Sequence, residues 1–106
     1  MLNLRKVEKG DGHMAALSGQ KTVTTAGTEV ALGNIQVNAP LMVKALDTNT
    51  GKIYIGNNGD GTVSSSTGLV LLAGESAVFE WAGNLSAIMV DASVNGEGVA
   101  WLSLNV

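Results

Sequence analysis

The side chains able to do chemistry in this chain are few and scattered. Among 106 residues there is no cysteine, one histidine and nine acids. Without cysteine there is no disulfide framework, no thiolate metal site and no thiol nucleophile. The histidine, His13, sits between Gly12 and Met14 with no partner constellation of the kind a catalytic triad requires. Ser64-Ser65-Ser66 lacks the Gly-x-Ser-x-Gly elbow and reads as a serine-rich loop. Glu80 and Asp91 fall on extended segments that neighbour one another in some sandwich arrangements, which makes them a candidate carboxylate pair for glycoside hydrolysis. Sugar-cleaving sites carry stacking aromatics, however, and of the few aromatics here Phe79 and Trp81 read as core. The loop Gly56-Asn57-Asn58-Gly59-Asp60-Gly61 offers one Asp and two Asn, whereas calcium takes about six to eight oxygens, several from carboxylates. The same glycines lead into no helix and carry no phosphate-loop lysine. The chemistry-bearing residues therefore predict no enzyme, no metal and no cofactor.

The elements that would position these residues are short and extended. From Lys21 onward, runs of four to seven Val, Ile, Leu and Thr-rich residues alternate with Gly, Asn, Ser and Asp clusters. Pro40 opens Leu41 to Asp47, where a missing N–H does least harm to a strand, and Leu41, Val43 and Ala45 share one face. Ile53 and Ile55 point inward after the Asn49-Thr50-Gly51 turn. Residues 57–68 form the longest loop. Ala77, Phe79 and Trp81 face one way, with Val78 and Glu80 on the other. Ala87 to Ala92 is expected to pair with Val99 to Leu104 as a hairpin through Asn95-Gly96-Glu97-Gly98. Short strands at roughly ten-residue spacing without a helical period indicate a sandwich or barrel. Medium-sized aliphatic faces with few aromatics favour a sandwich. The expected fold is all-β: a single antiparallel β-sandwich, jelly-roll-like, of about eight strands over residues 21–106. An extended N-terminal arm over residues 1–20 precedes it, with one marginal helical turn around Met14 to Leu17.

Composition narrows the partners. Hydrophobic residues make up 45% of the chain and charged residues 14%, against about 25% charged in typical soluble domains. The polar surface must then be built from Ser, Thr, Asn and Gly, a composition suited to packing against other protein. A net charge of −3 provides no basic stripe for a phosphate backbone, which argues against nucleic acid. The opening MLNLRKVEKGDGH is too charged for a signal peptide. The longest apolar run, Leu69 to Ala73, is too short to span a bilayer, so no membrane role is expected.

One strand pattern is apolar on both faces. Val99, Trp101 and Ser103 alternate with Ala100, Leu102 and Leu104, so the strand is either covered on both sides or has one face buried by another chain. Met89, between Ile88 and Val90, raises the same question. Trp101 and Met89 are thus either core residues or candidates for self-association, since Trp and Met are enriched in interface cores.

The segment IYIGNNGDGTVSSSTGLVLLAGESAVFEWAGNLSAIMVDASVNGEGVAWLSL carries, in order, an Ile-Tyr-Ile-Gly strand, a VSSSTG loop, a LxxGES turn, an NLSxI strand and an NGEGV hairpin. In this it resembles small β-sandwich structural proteins of tailed bacteriophages, over about Lys21 to Leu104. The resemblance implies a virion component made in the host cytoplasm: a capsid decoration (cement) protein on the outside of the head, or the head-anchored part of a fibre. It implies the major capsid protein as partner and a homo-oligomer, with a trimer favoured. On that reading Leu2, Leu4 and Val7 are apolar anchors of the arm, added by strand pairing, while Arg5 and Lys6 meet acidic capsid surface. Nothing in the chain resembles a fibre shaft or receptor-binding tip, which favours cement over fibre. The alternative expectation is a head or tail fibre or adhesin-type module recognising a host surface glycan through the loop at residues 57–68.

Overall fold

The structure is a computed structural model and describes residues 16–38, 40–57, 62–80 and 83–104. Among them ten strands follow one another: β1 (Ala16–Val23), β2 (Val30–Ala31), β3 (Gln36–Val37), β4 (Leu41–Ala45), β5 (Ile53–Asn57), β6 (Leu69–Leu71), β7 (Ser76–Phe79), β8 (Gly83–Asn84), β9 (Ile88–Ala92) and β10 (Glu97–Leu104). A short 3-10 turn, Leu85–Ala87, joins β8 to β9. Two four-stranded sheets have the orders β1-β10-β4-β7 and β2-β9-β5-β6, and β3 and β8 form a small ribbon. Every pairing is antiparallel. The fold is an all-β antiparallel sandwich.

Period-two alternation decides which residues are inside. On the first sheet Leu41, Val43 and Ala45 of β4 and Val99, Trp101 and Ser103 of β10 are buried. On the second, Ile53 and Ile55 of β5, Leu71 of β6, and Val90 and Ala92 of β9 are buried. These two aliphatic faces meet in one core that also takes in Leu32, Val37 and Leu85. Burial of each such side chain contributes about 1.5–3 kcal/mol. Ser103 is the one inward position with a hydroxyl, and among the described residues its Oγ finds no hydrogen-bond partner.

Connectivity has a simple rule. The first strand pairs with the last (β1 with β10), the second with the ninth, β3 with β8, β4 with β7 and β5 with β6. The chain is one long hairpin, bent between β5 and β6 and folded over so that β4 also meets β10 and β5 meets β9.

This rule overturns the local hairpin expected between Ala87–Ala92 and Val99–Leu104. β9 and β10 lie in different sheets, and the Asn95-Gly96 corner carries the chain from one to the other. Gly96 takes φ +81° there, a left-handed conformation open to glycine, and its N–H donates to Val23 O at 2.8 Å. The turn chemistry is present, but it serves a corner between sheets because both strands have better-buried partners elsewhere. Two smaller differences occur. β1 begins at Ala16, so the strand takes the last residues assigned to the arm, and Leu17 is extended rather than helical. The NLSxI segment opens as the 3-10 turn, with Asn84 Oδ1 accepting from Ser86 N at 2.9 Å.

The β1–β10 register leaves no room for side chains at two glycines. A Cβ on Gly19 would stand 3.0 Å from the Trp101 ring, and one on Gly98 would collide with the Lys21 carbonyl oxygen. Gly98 faces backbone, which yields less readily than a side-chain tip. Gly98→Ala is therefore expected to lower stability by about 1–3 kcal/mol, read as a lower urea midpoint with an unchanged slope. An unchanged midpoint would show that β1 does not hold this register.

Candidate interaction surface

The residues first suspected of chemistry are kept apart or bound up in loops. Asp91 sits on the outer side of β9, opposite Tyr54, and is only 2% exposed. Its Oδ1 accepts from Gly27 N at 2.9 Å and from Ala92 N at 2.8 Å, which pins the β1–β2 loop over this face. Glu80 follows β7 on the other sheet and is exposed, so the two carboxylates do not share a site. Among the described residues no cluster of three or more His, Cys, Asp or Glu is placed to hold a metal ion. His13 and residues 58–61 of the Gly- and Asn-rich loop lie outside the described residues.

The turn motifs that stand out in the sequence act on one another. Asn49, buried, donates from Nδ2 to Gly98 O at 2.8 Å and accepts Gly98 N on Oδ1 at 3.3 Å. Glu97 accepts Thr50 N at 2.6 Å and Thr50 Oγ1 at 2.8 Å on Oε2, and Gly51 N at 2.9 Å on Oε1. Ser93 Oγ accepts Lys52 N at 2.8 Å, and Asn95 Oδ1 accepts Ala26 N at 2.7 Å. The Asn49-Thr50-Gly51 turn and the Asn95-to-Gly98 corner are therefore one clamp across the end of the sandwich. In the serine loop, Ser64 N donates to Thr67 Oγ1 at 2.9 Å, Gly68 N to Ser64 O at 2.9 Å, and Val63 is buried beneath. The Ser64, Ser66 and Thr67 hydroxyls bond within this turn. Glu75 closes the β6–β7 turn by accepting Leu72 N at 2.9 Å.

What remains free is apolar surface. Trp101 is 6% exposed, inside one chain, and its ring lies over Gly19. Met89 is half-buried on the outer side of β9. The exposed apolar residues are others. Register sets Ser18, Leu102, Met42 and Val78 side by side across β1, β10, β4 and β7, and the last three form an exposed stripe. Exposure rises toward the β7 edge, reaching 60% at Val78. Around that edge, Leu69, Val70 and Leu72 of the β6 strand and its turn are also exposed. The flank bearing β6 and β7 thus carries half of the exposed large apolar side chains described, whereas the β1 edge shows Ser18, Gln20 and Lys21. On the same flank Glu75, Ser76 and Glu80 are also exposed, between and beside the apolar residues. Sequence reasoning singled out Trp101 and passed over Leu102, Met42 and Val78. The signal available was their alternation with inward residues.

At the mouth between the sheets a cavity of about 340 Å³ is lined by Ile55, Leu69, Phe79 and Ile88 among others. Its lining is mainly apolar, with Asn57 the one polar side chain among the described residues.

Comparison with family models, with curated proteins and with solved structures returns no match.

Hydrogen bonds from Thr50 N, then from Gly51 N and the Thr50 hydroxyl, hold the Glu97 carboxyl below its ordinary value of 4.5. Its contribution to the clamp is complete above that value and is lost as pH falls through the lowered folded-state pKa. Amide exchange at Thr50 and Gly51 should therefore show protection at neutral pH that falls away below about pH 4.5. Glu97→Gln should lower the neutral-pH protection and flatten this acid dependence; a full acid transition in the variant would assign the clamp to another group.

Proposed function

We propose that this chain is a structural protein of a tailed-bacteriophage virion, a decoration protein that binds the outside of the head and stabilises it by bridging capsid subunits. The observation that carries the reading is the nested pairing of first strand with last. With the two-residue ribbon set aside, it leaves two four-stranded sheets of order β1-β10-β4-β7 and β2-β9-β5-β6, the order a jelly-roll wrapping produces. Jelly rolls recur in viral capsid and lectin domains, and a fold alone does not specify function. The second support is the surface: an apolar flank and loops whose polar groups satisfy one another suit a rigid part held by contact.

On this reading the mechanism is passive. The partner is the major capsid protein, the site of action is the capsid surface after synthesis in the host cytoplasm, and more than one copy associates. Rigidity comes from the clamp of Asn49 and Glu97 and from the closed core, so force between capsid subunits passes through the domain without opening it. Contacts of standard size bury roughly 1,600 Å² in total, and repetition over the shell accumulates stability. Leu2, Leu4, Arg5, Lys6 and Val7, the proposed capsid-contact arm, lie outside the described residues. The glycan-binding alternative has less support. Tyr54 is buried, which leaves the described part of the loop without an aromatic stacking platform, and the Ser64, Ser66 and Thr67 hydroxyls bond within the loop.

Removing residues 1–15 keeps all ten described strands in the chain. The truncated chain is expected to keep its circular dichroism and melting temperature while its co-sedimentation with heads lacking the protein drops at least tenfold. Undiminished loading would rule out the arm as the capsid contact.

A further inference from the structure

We infer that the β7 edge is a contact between two copies of this chain, paired antiparallel across a two-fold axis at Val78. This goes beyond the virion reading and does not depend on it.

The backbone supports it first. Ala45 donates its N–H to Glu75 O at 2.9 Å and accepts Gly74 N at 3.0 Å, while the next residue, Leu46, donates to Gly98 O on the opposite side. Antiparallel alternation then directs Val43 and Leu41 toward β7, where they pair with Ala77 and Phe79. Ser76 and Val78 in consequence turn their own N–H and C=O groups outward, to an edge that pairs with no further strand among the described residues. Soluble proteins blunt such edges with lysine, proline or a bulge. β1, the other edge of this sheet, includes Lys21, whereas Ser76–Phe79 has no lysine or proline, and the glycine bulge where Gly74 (φ +81°) and Glu75 both face Ala45 lies before its first residue.

Side chains fit the same axis. With Val78 facing Val78 of the second copy, Ser76 of one copy faces Glu80 of the other. Lys44 is the cross-strand neighbour of Ser76, so Glu80 of the second copy enters that row beside Ser76, about 9–10 Å and two strand spacings from Lys44, whose Nζ lies 3.2 Å from Asp47 Oδ1. No like charges face each other. Val78, the most exposed large apolar residue described, is covered by its own symmetry mate. The Leu102-Met42-Val78 stripe then runs unbroken through Val78, Met42 and Leu102 of the second copy, on an eight-stranded sheet. An isologous contact of this kind is the commonest route to a homo-oligomer, and here it replaces the three-fold arrangement as the proposal.

The size of the contact sets its strength. An edge of about five residues at roughly 3.4 Å each gives an interface of about half the ~800 Å² per partner typical of stable complexes. Association is therefore reversible and concentration-dependent.

The test is mass by light scattering on the full chain, from about 5 to 500 µM, with three variants. Val78→Pro removes an N–H that serves no internal ladder and is tolerated on an edge; Val78→Lys keeps the backbone and places like charges at the axis. Leu102→Lys alters the stripe away from the edge. The expected result is a monomer–dimer equilibrium in the wild type and in Leu102→Lys, with association weakened at least 50-fold in both Val78 variants at unchanged circular dichroism. A wild type that stays monomeric throughout would overturn the proposal. So would a dimer or trimer whose mass survives both Val78 variants, or one lost only on Leu102→Lys. Loss of capsid loading in Val78→Lys from a monomeric wild type would assign the edge to the capsid instead.

Discussion

Two aliphatic faces that cannot be left in water hold this molecule together: Leu41, Val43, Ala45, Val99 and Trp101 on one sheet, and Ile53, Ile55, Leu71, Val90 and Ala92 on the other. Each face is drawn from strands far apart in the chain, so neither exists until distant segments have met. The nested pairing is the economical solution. Once β5 and β6 turn back on each other, each preceding strand finds its partner one step further along the returning chain. The last pair to close, β1 with β10, completes the sheet that carries the Trp101 ring. Pairings so distant along the chain close large loops, which slows folding.

Loops answer to the same constraint. Two sheets packed face to face leave open ends, and buried polar backbone there must be satisfied. Asn49 and Glu97 do this from opposite directions, one held by Gly98 and the other by Thr50 and Gly51. Asp91 does it on the outer face of the second sheet, for the loop at Gly27. Asn49, Glu75, Asn84, Asp91, Asn95 and Glu97 are thus engaged in holding corners.

The inward residues of β4 and β5 were legible in the sequence, as was the position of nearly every turn. Alternation and turn chemistry are local: a strand's side chains change sides at each residue whatever it pairs with, and Gly, Asn and Asp mark corners by their own backbone preferences. Val78 could be assigned outward on the same ground. The clamp was not legible, although every residue in it belongs to a motif that stood out. Motifs separated along the chain say nothing of which one touches which.

By itself, then, the sequence determined an all-β chain, its strand faces, its corners, and a composition poor in chemistry. Tertiary structure alone decided that β9 and β10 part into different sheets instead of forming a hairpin. It also decided the side on which a two-faced apolar strand is covered. Trp101 goes inside because Gly19, on the neighbouring strand, leaves space for its ring, and Leu102 is left outside as the consequence. The physical reason is range. Local backbone geometry fixes a side chain's side of the strand, but which side becomes interior depends on partners many residues away.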